Sequence, residues 1–299
     1  MSASYRTLAG SPHSPVILHV PHGSRHVPGP VRSRILLDDA ELAAELDRMT
    51  DTDTGVIAAR AAAAATRTPW TFENRASRLV VDPERFPDER EEMRAVGMGA
   101  VYTRTSQGAP LRHTDDDADT DADTRSGAAE HEQDLLDTYF HPYAHAMTEL
   151  VDDRLAATGR AVIIDVHSYP SAPLPYELHA DGARPPLCLG TDSFHTPDWL
   201  LDLARATFGD LAGLDPIELN TPFSGCYVPL RHYGAVPEVS ALMLEFRRDG
   251  YLTEPSGPPT QGLDRLAAAL SRLVDLVDDH CDRLPATRMT TRLSDRSAP

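Results

Sequence analysis

Two kinds of apolar pattern alternate along the chain. Unbroken runs rich in β-branched residues recur as Val16-Ile17-Leu18-His19-Val20, Leu79-Val80-Val81, Ala161-Val162-Ile163-Ile164-Asp165-Val166, Leu187-Cys188-Leu189 and Ala241-Leu242-Met243-Leu244-Glu245-Phe246. Such runs predict strands covered on both faces, the state of interior strands in an α/β sheet. Between them the pattern is helical. Asp38 and Asp39 can cap a helix reaching about residue 49, and an alanine-rich stretch at 56–65 favours a second. Leu135, Leu136, Tyr139, Tyr143, Met147 and Leu150 fall mostly at three- and four-residue steps and predict a helix over 130–158. Residues 197–208 read as another. Leu263, Leu266, Leu270, Leu273 and Val277 form one apolar stripe on a helix over 261–283. Strand–helix alternation predicts an α/β fold with a mostly parallel or mixed central sheet flanked by helices. No repeat or linker divides the chain. It reads as a single domain over 1–299, with a loose leader at 1–12, an ordered core at about 15–283 and a disordered tail at 285–299.

Composition narrows the partners. The 299 residues are 41% hydrophobic, enough for a sizeable core, and the formal charge of −18 disfavours nucleic acid and anionic membranes. No run approaches the roughly 18 apolar residues of a membrane span, and the N-terminus lacks a secretory apolar segment. These features, with three cysteines in no metal-finger spacing, predict a soluble cytoplasmic protein acting on a small molecule. The segment 113–127 carries six aspartates in the nine residues from Asp115 to Asp123. Self-repulsion predicts a mobile acidic insert there; it lacks the Gly and terminal Glu of a calcium loop.

The strand ends carry the chemistry. Ligands of open α/β sheets bind beyond the carboxyl ends of the strands. The first strand runs into Pro21-His22-Gly23-Ser24, and the central one into Asp165-Val166-His167-Ser168. Gly23 permits a tight turn or close backbone approach. Asp165 and His167, two apart, share a strand face, so the carboxylate can orient the imidazole as a metal-bound His requires; a satisfied histidine at a strand end is the plainer alternative. Asp51 and Asp53 stand before the alanine-rich helix, where a carboxylate serves as ligand or as cap. Glu245 follows four apolar residues and is costly to bury unpaired, unless Arg247 or Arg248 pairs with it. Two His and a carboxylate on a metal with one open position, plus a spare Glu and a nearby Arg, describe amide hydrolysis. The residues on offer are His22, Asp53 or Asp51, His167, Glu245, and Arg78, Arg85 or Arg231. Gly- and Tyr-bearing loops at 221–234 are the pocket-lining kind.

In this order the motifs resemble the N-formylglutamate amidohydrolase family, which is similar in fold to zinc carboxypeptidases and aspartoacylase. The markers are Val20-Pro21-His22-Gly23, Asp51-Thr52-Asp53, Ser77-Arg78-Leu79-Val80-Val81-Asp82 with Arg85, Asp165-Val166-His167-Ser168, Leu189-Gly190-Thr191, Gly225-Cys226-Tyr227, Arg231-His232-Tyr233-Gly234 and Leu244-Glu245. The resemblance implies a zinc-exopeptidase-like fold and a hydrolase removing the acyl group of an N-acyl amino acid, N-formyl-L-glutamate first. It implies one Zn2+ on His22, Asp53 and His167, with Asp51 in reserve, Glu245 as general base and Arg85 as substrate or oxyanion contact. Arg78, Tyr227, Arg231 and Ser168 are then expected to touch substrate, and Asp165 and Asp51 to stand behind the ligands. Two departures bear on the substrate: the family's Asp-Leu-Asn-Arg is Asp82-Pro83-Glu84-Arg85 here, and Thr54-Gly55 replaces Trp-His after Asp53. Glu84 sets a negative charge where a substrate carboxylate is expected, which leaves open an amidase for another N-acyl amino acid or peptide. A non-catalytic metal- or ligand-binding relative is the remaining alternative.

Overall fold

The computed structural model describes residues 4–114, 122–178 and 180–284. Its strands are β1 (Tyr5–Leu8), β2 (Val16–Val20), β3 (Trp70–Asn74), β4 (Ala161–Tyr169), β5 (Leu187–Gly190), β6 (Ile217–Leu219) and β7 (Val239–Arg247). They form one sheet in the order β1-β3-β2-β4-β7-β5-β6. The four middle strands β3, β2, β4 and β7 run parallel; β1 pairs antiparallel to β3 at one edge, and β5 antiparallel to β7 towards the other. The helices are α1 (Gly29–Arg32), α2 (Asp39–Met49), α3 (Thr54–Ala64), α4 (Ala122–Leu135), α5 (His141–Thr158), α6 (Asp198–Thr207) and α7 (Gln261–Arg283).

Alternation along the strands divides the core. Val16, Leu18, Val162, Ile164, Leu242 and Leu244 face α3, α6 and α7, where Ile57, Ala61, Leu200, Leu266, Leu270 and Leu273 cover them. The small side chains of α3 let α7 lie close. Each buried Leu of the α7 stripe contributes about 1.5–3 kcal/mol. On the opposite face Ile17, Ile163 and Ala241 pack under Tyr143, Met147, Leu150 and Val151 of α5. The same parity, continued towards the carboxyl ends, brings His19, Asp165, His167 and Glu245 onto that second face. Apolar side chains start these strands and polar ones finish them.

Several expectations need correction. The leader is not loose: Tyr5–Leu8 is an edge strand on β3, and Arg6 pairs with Glu73 at 2.5 Å. Leu79-Val80-Val81 is a buried turn rather than a strand; its apolar side chains fill satellite clusters with Val31, Phe140, Met98 and Tyr102. The neighbouring strand is instead Trp70–Asn74. The long helix starts earlier, at Ala122, and opens into a π-helical turn at Leu136–Phe140. That turn lies just ahead of Pro142, which has no N–H to continue the α ladder. The end of the acidic segment thus enters α4, while residues 115–121 and the tail at 285–299 lie outside the described residues. The α2 cap is as expected, a reciprocal box in which the Asp38 side chain accepts from Glu41 N–H and Glu41 accepts from Asp38 N–H.

Candidate active site

His22 stands just past β2, and His167 lies near the end of β4. Their Nδ1 atoms are 3.3 Å apart. Asp51, in the turn between α2 and α3, completes a triangle: its Oδ2 is 3.1 Å from His167 Nδ1 and 3.8 Å from His22 Nδ1. All three side chains are buried. Asp51 reaches the histidines because its own N–H donates to His22 O at 3.0 Å, while Thr54 Oγ donates to Asp51 O at 2.8 Å. Gly23 eases this approach, since a Cβ there would sit 3.0 Å from Thr54 Oγ and push it back. The aspartate favoured from sequence, Asp53, is not part of the triangle. It sits two residues further on with φ 65°, at the N-cap of α3 but making no capping bond, and is only half-buried. The carboxylate with both histidines is Asp51.

Each histidine is backed by carboxylates on its other nitrogen. Asp82 Oδ1 lies 2.8 Å from His22 Nε2 in a hydrogen bond. Asp165 Oδ1 and Glu84 Oε2 lie 3.1 and 3.2 Å from His167 Nε2, close but out of hydrogen-bond alignment. Asp82 also accepts from Arg78 at 2.7 Å and from Tyr102 at 2.5 Å, while Arg78 donates to Tyr102 at 2.9 Å. Arg78 is therefore a support for Asp82 and His22. Burial works to raise Asp82, but His22 and Arg78 hold its carboxyl well below the usual range. Asp165 is depressed in the same way, burial being outweighed by His167 and His19; it binds His19 Nδ1 at 2.7 Å and accepts from Tyr227 N–H at 3.2 Å.

Glu245 is paired in register with His167 across β4 and β7. Its carboxylate is buried, and Oε2 has no hydrogen-bond partner. Neither adjacent arginine takes it: Arg247 binds Asp249 at 2.8 Å, and Arg248 turns to Ser168 and Asp51. Burial pushes the Glu245 carboxyl up to about 8, against the pull of His167. Arg248 was expected only as a partner for Glu245. It binds Ser168 Oγ and O at 3.2 Å, Asp51 Oδ1 at 3.4 Å and the α2 carbonyl of Arg48 at 2.8 Å. Ser168, expected at the substrate, supports Asp51 as well, its N–H donating to Oδ2 at 3.2 Å. From sequence Asp82 had no role beyond the family marker and Arg248 none beyond pairing with Glu245, because a charge after an apolar run does not show which distant side chain it meets.

These residues share a cavity of about 580 Å³, lined also by Arg85, Tyr227 and Arg231. Arg231 is at the exposed mouth, bound to Asp152 at 2.9 Å. Arg85 approaches Asp82 and Glu91 at 3.6 Å without hydrogen-bonding either. Glu84, whose charge conflicted with an anionic substrate, turns its carboxylate towards His167, His19 and His22, at 3.2, 3.5 and 3.7 Å.

Residues 14–252 match the profile of the family described as N-formylglutamate amidohydrolase. The chain belongs to that family. Among solved structures it is similar to N-formylglutamate amidohydrolase from Ralstonia eutropha JMP134, with TM-score 0.73 and 18% identity over 94% of this chain and 99% of that one. It is also similar to a gene product of Agrobacterium tumefaciens, with TM-score 0.65 and 16% identity over 94% and 97%. At these identities the likeness is one of fold. No curated protein matches the chain significantly. Membership makes it a hydrolase of amide bonds, and no helix among the described residues is long and apolar enough to cross a membrane.

Proposed function

We propose that this family member is a metal-dependent amidohydrolase, with N-formyl-L-glutamate as the reference substrate and His22, Asp51 and His167 as the metal ligands. The observation that carries the reading is the donor triangle beside an unpaired, buried Glu245. Its edges of 3.1, 3.3 and 3.8 Å are near the roughly 3.3 Å that separates donors on a tetrahedral ion with bonds of about 2.0–2.1 Å. Two imidazoles and one carboxylate favour zinc, and three protein ligands leave a position for water. The charges agree. Asp51, Asp82, Glu84, Asp165 and Glu245 face Arg78, Arg85 and Arg248 in the site and its supports. The carboxylates outnumber the guanidiniums there, which suits a divalent cation. A bound ion supplies Lewis acidity, acidifying water and polarising the acyl oxygen.

The remaining work falls to the chain. Glu245, which burial brings near neutrality, accepts the proton of the attacking water and returns it to the departing amine. Asp82 and Asp165 keep the imidazoles oriented. Arg78 and Arg248 are engaged with Asp82 and Asp51, which leaves Arg85 to receive the substrate's negative charge.

The test is hydrolysis of N-formyl-L-glutamate by protein whose metal content is measured on the same sample. Glu245→Gln is expected to keep its metal and lower kcat by about 10²–10⁴. Full activity in that variant would remove Glu245 from the reaction.

A further inference from the structure

The cavity is roomier than formylglutamate requires. About 580 Å³ falls in the roughly 300–1,000 Å³ range of pockets that enclose drug-sized ligands, whereas formylglutamate has about a dozen non-hydrogen atoms. Its positive charges are largely committed. Arg48 hydrogen-bonds Glu45, Arg78 binds Asp82 and Tyr102, Arg90 binds Asp88, Arg231 binds Asp152 and Arg248 binds Asp51 and Ser168. Among the described arginines that line the cavity, Arg85 alone has a side chain with no hydrogen bond, and it is 27% exposed. One substrate carboxylate finds a cation here. A second finds only Arg90 and Arg231, each already held in an exposed pair with Asp88 and Asp152, and the half-buried Glu84 adds a negative charge to the same cavity.

Beyond Arg85 the wall carries an aromatic pair, with the Arg90 guanidinium over the Phe86 ring at 4.8 Å. Phe86 follows it directly, and the Tyr233 ring lies edge-on to Phe86 with centroids 6.4 Å apart. Nine large hydrophobic side chains are exposed among the described residues, and three of them, Leu178, Leu230 and Tyr233, line this one cavity at 44–48% exposure. Large apolar side chains left exposed around a polar site are the kind of surface a ligand covers.

We infer that the preferred substrate is a monocarboxylate: an N-formyl amino acid with a large apolar side chain, of the phenylalanine or leucine kind. Its carboxylate is held by Arg85, and its side chain lies against Phe86, Leu230 and Tyr233. This inference rests on the amide hydrolysis proposed above and narrows its substrate.

The test compares N-formyl-L-phenylalanine with N-formyl-L-glutamate in two ways: kcat/KM with the metal-loaded protein, and Kd by calorimetry on the Glu245→Gln variant. The phenylalanine compound is expected to lead by about tenfold or more in both, the scale of a few methylenes in an apolar pocket. Leu230→Asn and Tyr233→Ser alter half-exposed positions, and each is expected to cut that lead by about threefold or more. Turnover of both with formylglutamate ahead, or a lead unmoved by either substitution, overturns the inference and leaves the amidohydrolase reading standing. Neither compound turned over or bound by protein carrying one metal per chain overturns both.

Discussion

Asp51→Asn and Asp53→Asn, made separately, test how the metal site is built. The Asp51 carboxylate lies 3.1 Å from His167 Nδ1 and is steadied by Ser168 N–H and Arg248. Burial works to raise its pKa, yet hydrogen bonds with His167 and His22 hold it far below the usual carboxylate range. Two unit charges about 4 Å apart attract by ~4 kcal/mol at an effective dielectric near 20, and a divalent ion doubles this. Dehydration offsets much of that gain, so we work with a net loss of about 3–4 kcal/mol for the amide, roughly 10²–10³ in metal affinity. Asn keeps the size of Asp, and its single oxygen can accept from Ser168 or from Arg248 but not from both, so the fold is expected to survive with one of these bonds lost. At position 53 the φ of 65° is one that Asn adopts readily, and metal affinity is expected to stay within about threefold of the parent. The assay is chelator competition with zinc, read beside circular dichroism of each variant. Loss of metal in Asp53→Asn with retention in Asp51→Asn would refute the triangle and restore the assignment first drawn from the family motif.

Three further outcomes follow from the same geometry. Arg248→Met removes the cation behind Asp51 and strips a donor from the α2 carbonyl of Arg48; metal affinity is expected to fall about 10–100-fold, and an unchanged chelator titration would count against a supporting role. Removal of metal exposes the excess of carboxylates over guanidiniums, so thermal unfolding in chelator is expected roughly 8–15 °C below that at metal concentrations near a thousand Kd, where linkage contributes about 4 kcal/mol; a Tm indifferent to chelator would mean no ion is held. Remote from the site, burial lifts Asp278 from 3.8 to about 6, opposed by Ser14 and Arg67. Its folded carboxyl holds the proton more tightly than the unfolded chain does, so stability is full below about pH 4 and declines as pH rises through about 6. Asp278→Asn is accordingly expected to gain about 1–2 kcal/mol at pH 8, after discount for the lost Arg67 ion pair, and little at pH 4; denaturant melts at both values check it, and an equal gain at each pH would rule out ionisation as the cause.

Much of the fold was legible in the pattern. β2, β4 and β7 are buried on both faces and so read as unbroken apolar runs, and α7 could be bounded at both ends because one stripe of its surface packs while the rest meets water. The failures have one cause. Leu79-Val80-Val81 is as apolar as a strand because it is buried as a turn, and Tyr5–Leu8 looks like leader because three of its four residues are exposed. Local composition reports burial, while strand pairing is a relation between distant segments.

The candidate site divides along the same line. His22, His167 and Glu245 could be read from the chain, since each is a polar residue placed where a buried strand ends. The choice of Asp51 over Asp53 could not: it depends on a left-handed residue at 53, a hydrogen bond from Asp51 to His22 O, and Arg248 arriving from beyond β7. Nor could the turn of Glu84 towards the histidines, or the pairing that leaves Arg85, alone among the described arginines lining the cavity, without a hydrogen bond. Sequence by itself determined which side chains stand at the carboxyl edge of the sheet, because burial and period act locally. Tertiary structure decided which of those charges meet, because each buried charge takes its partner from another part of the chain and the packing of the elements sets the distance.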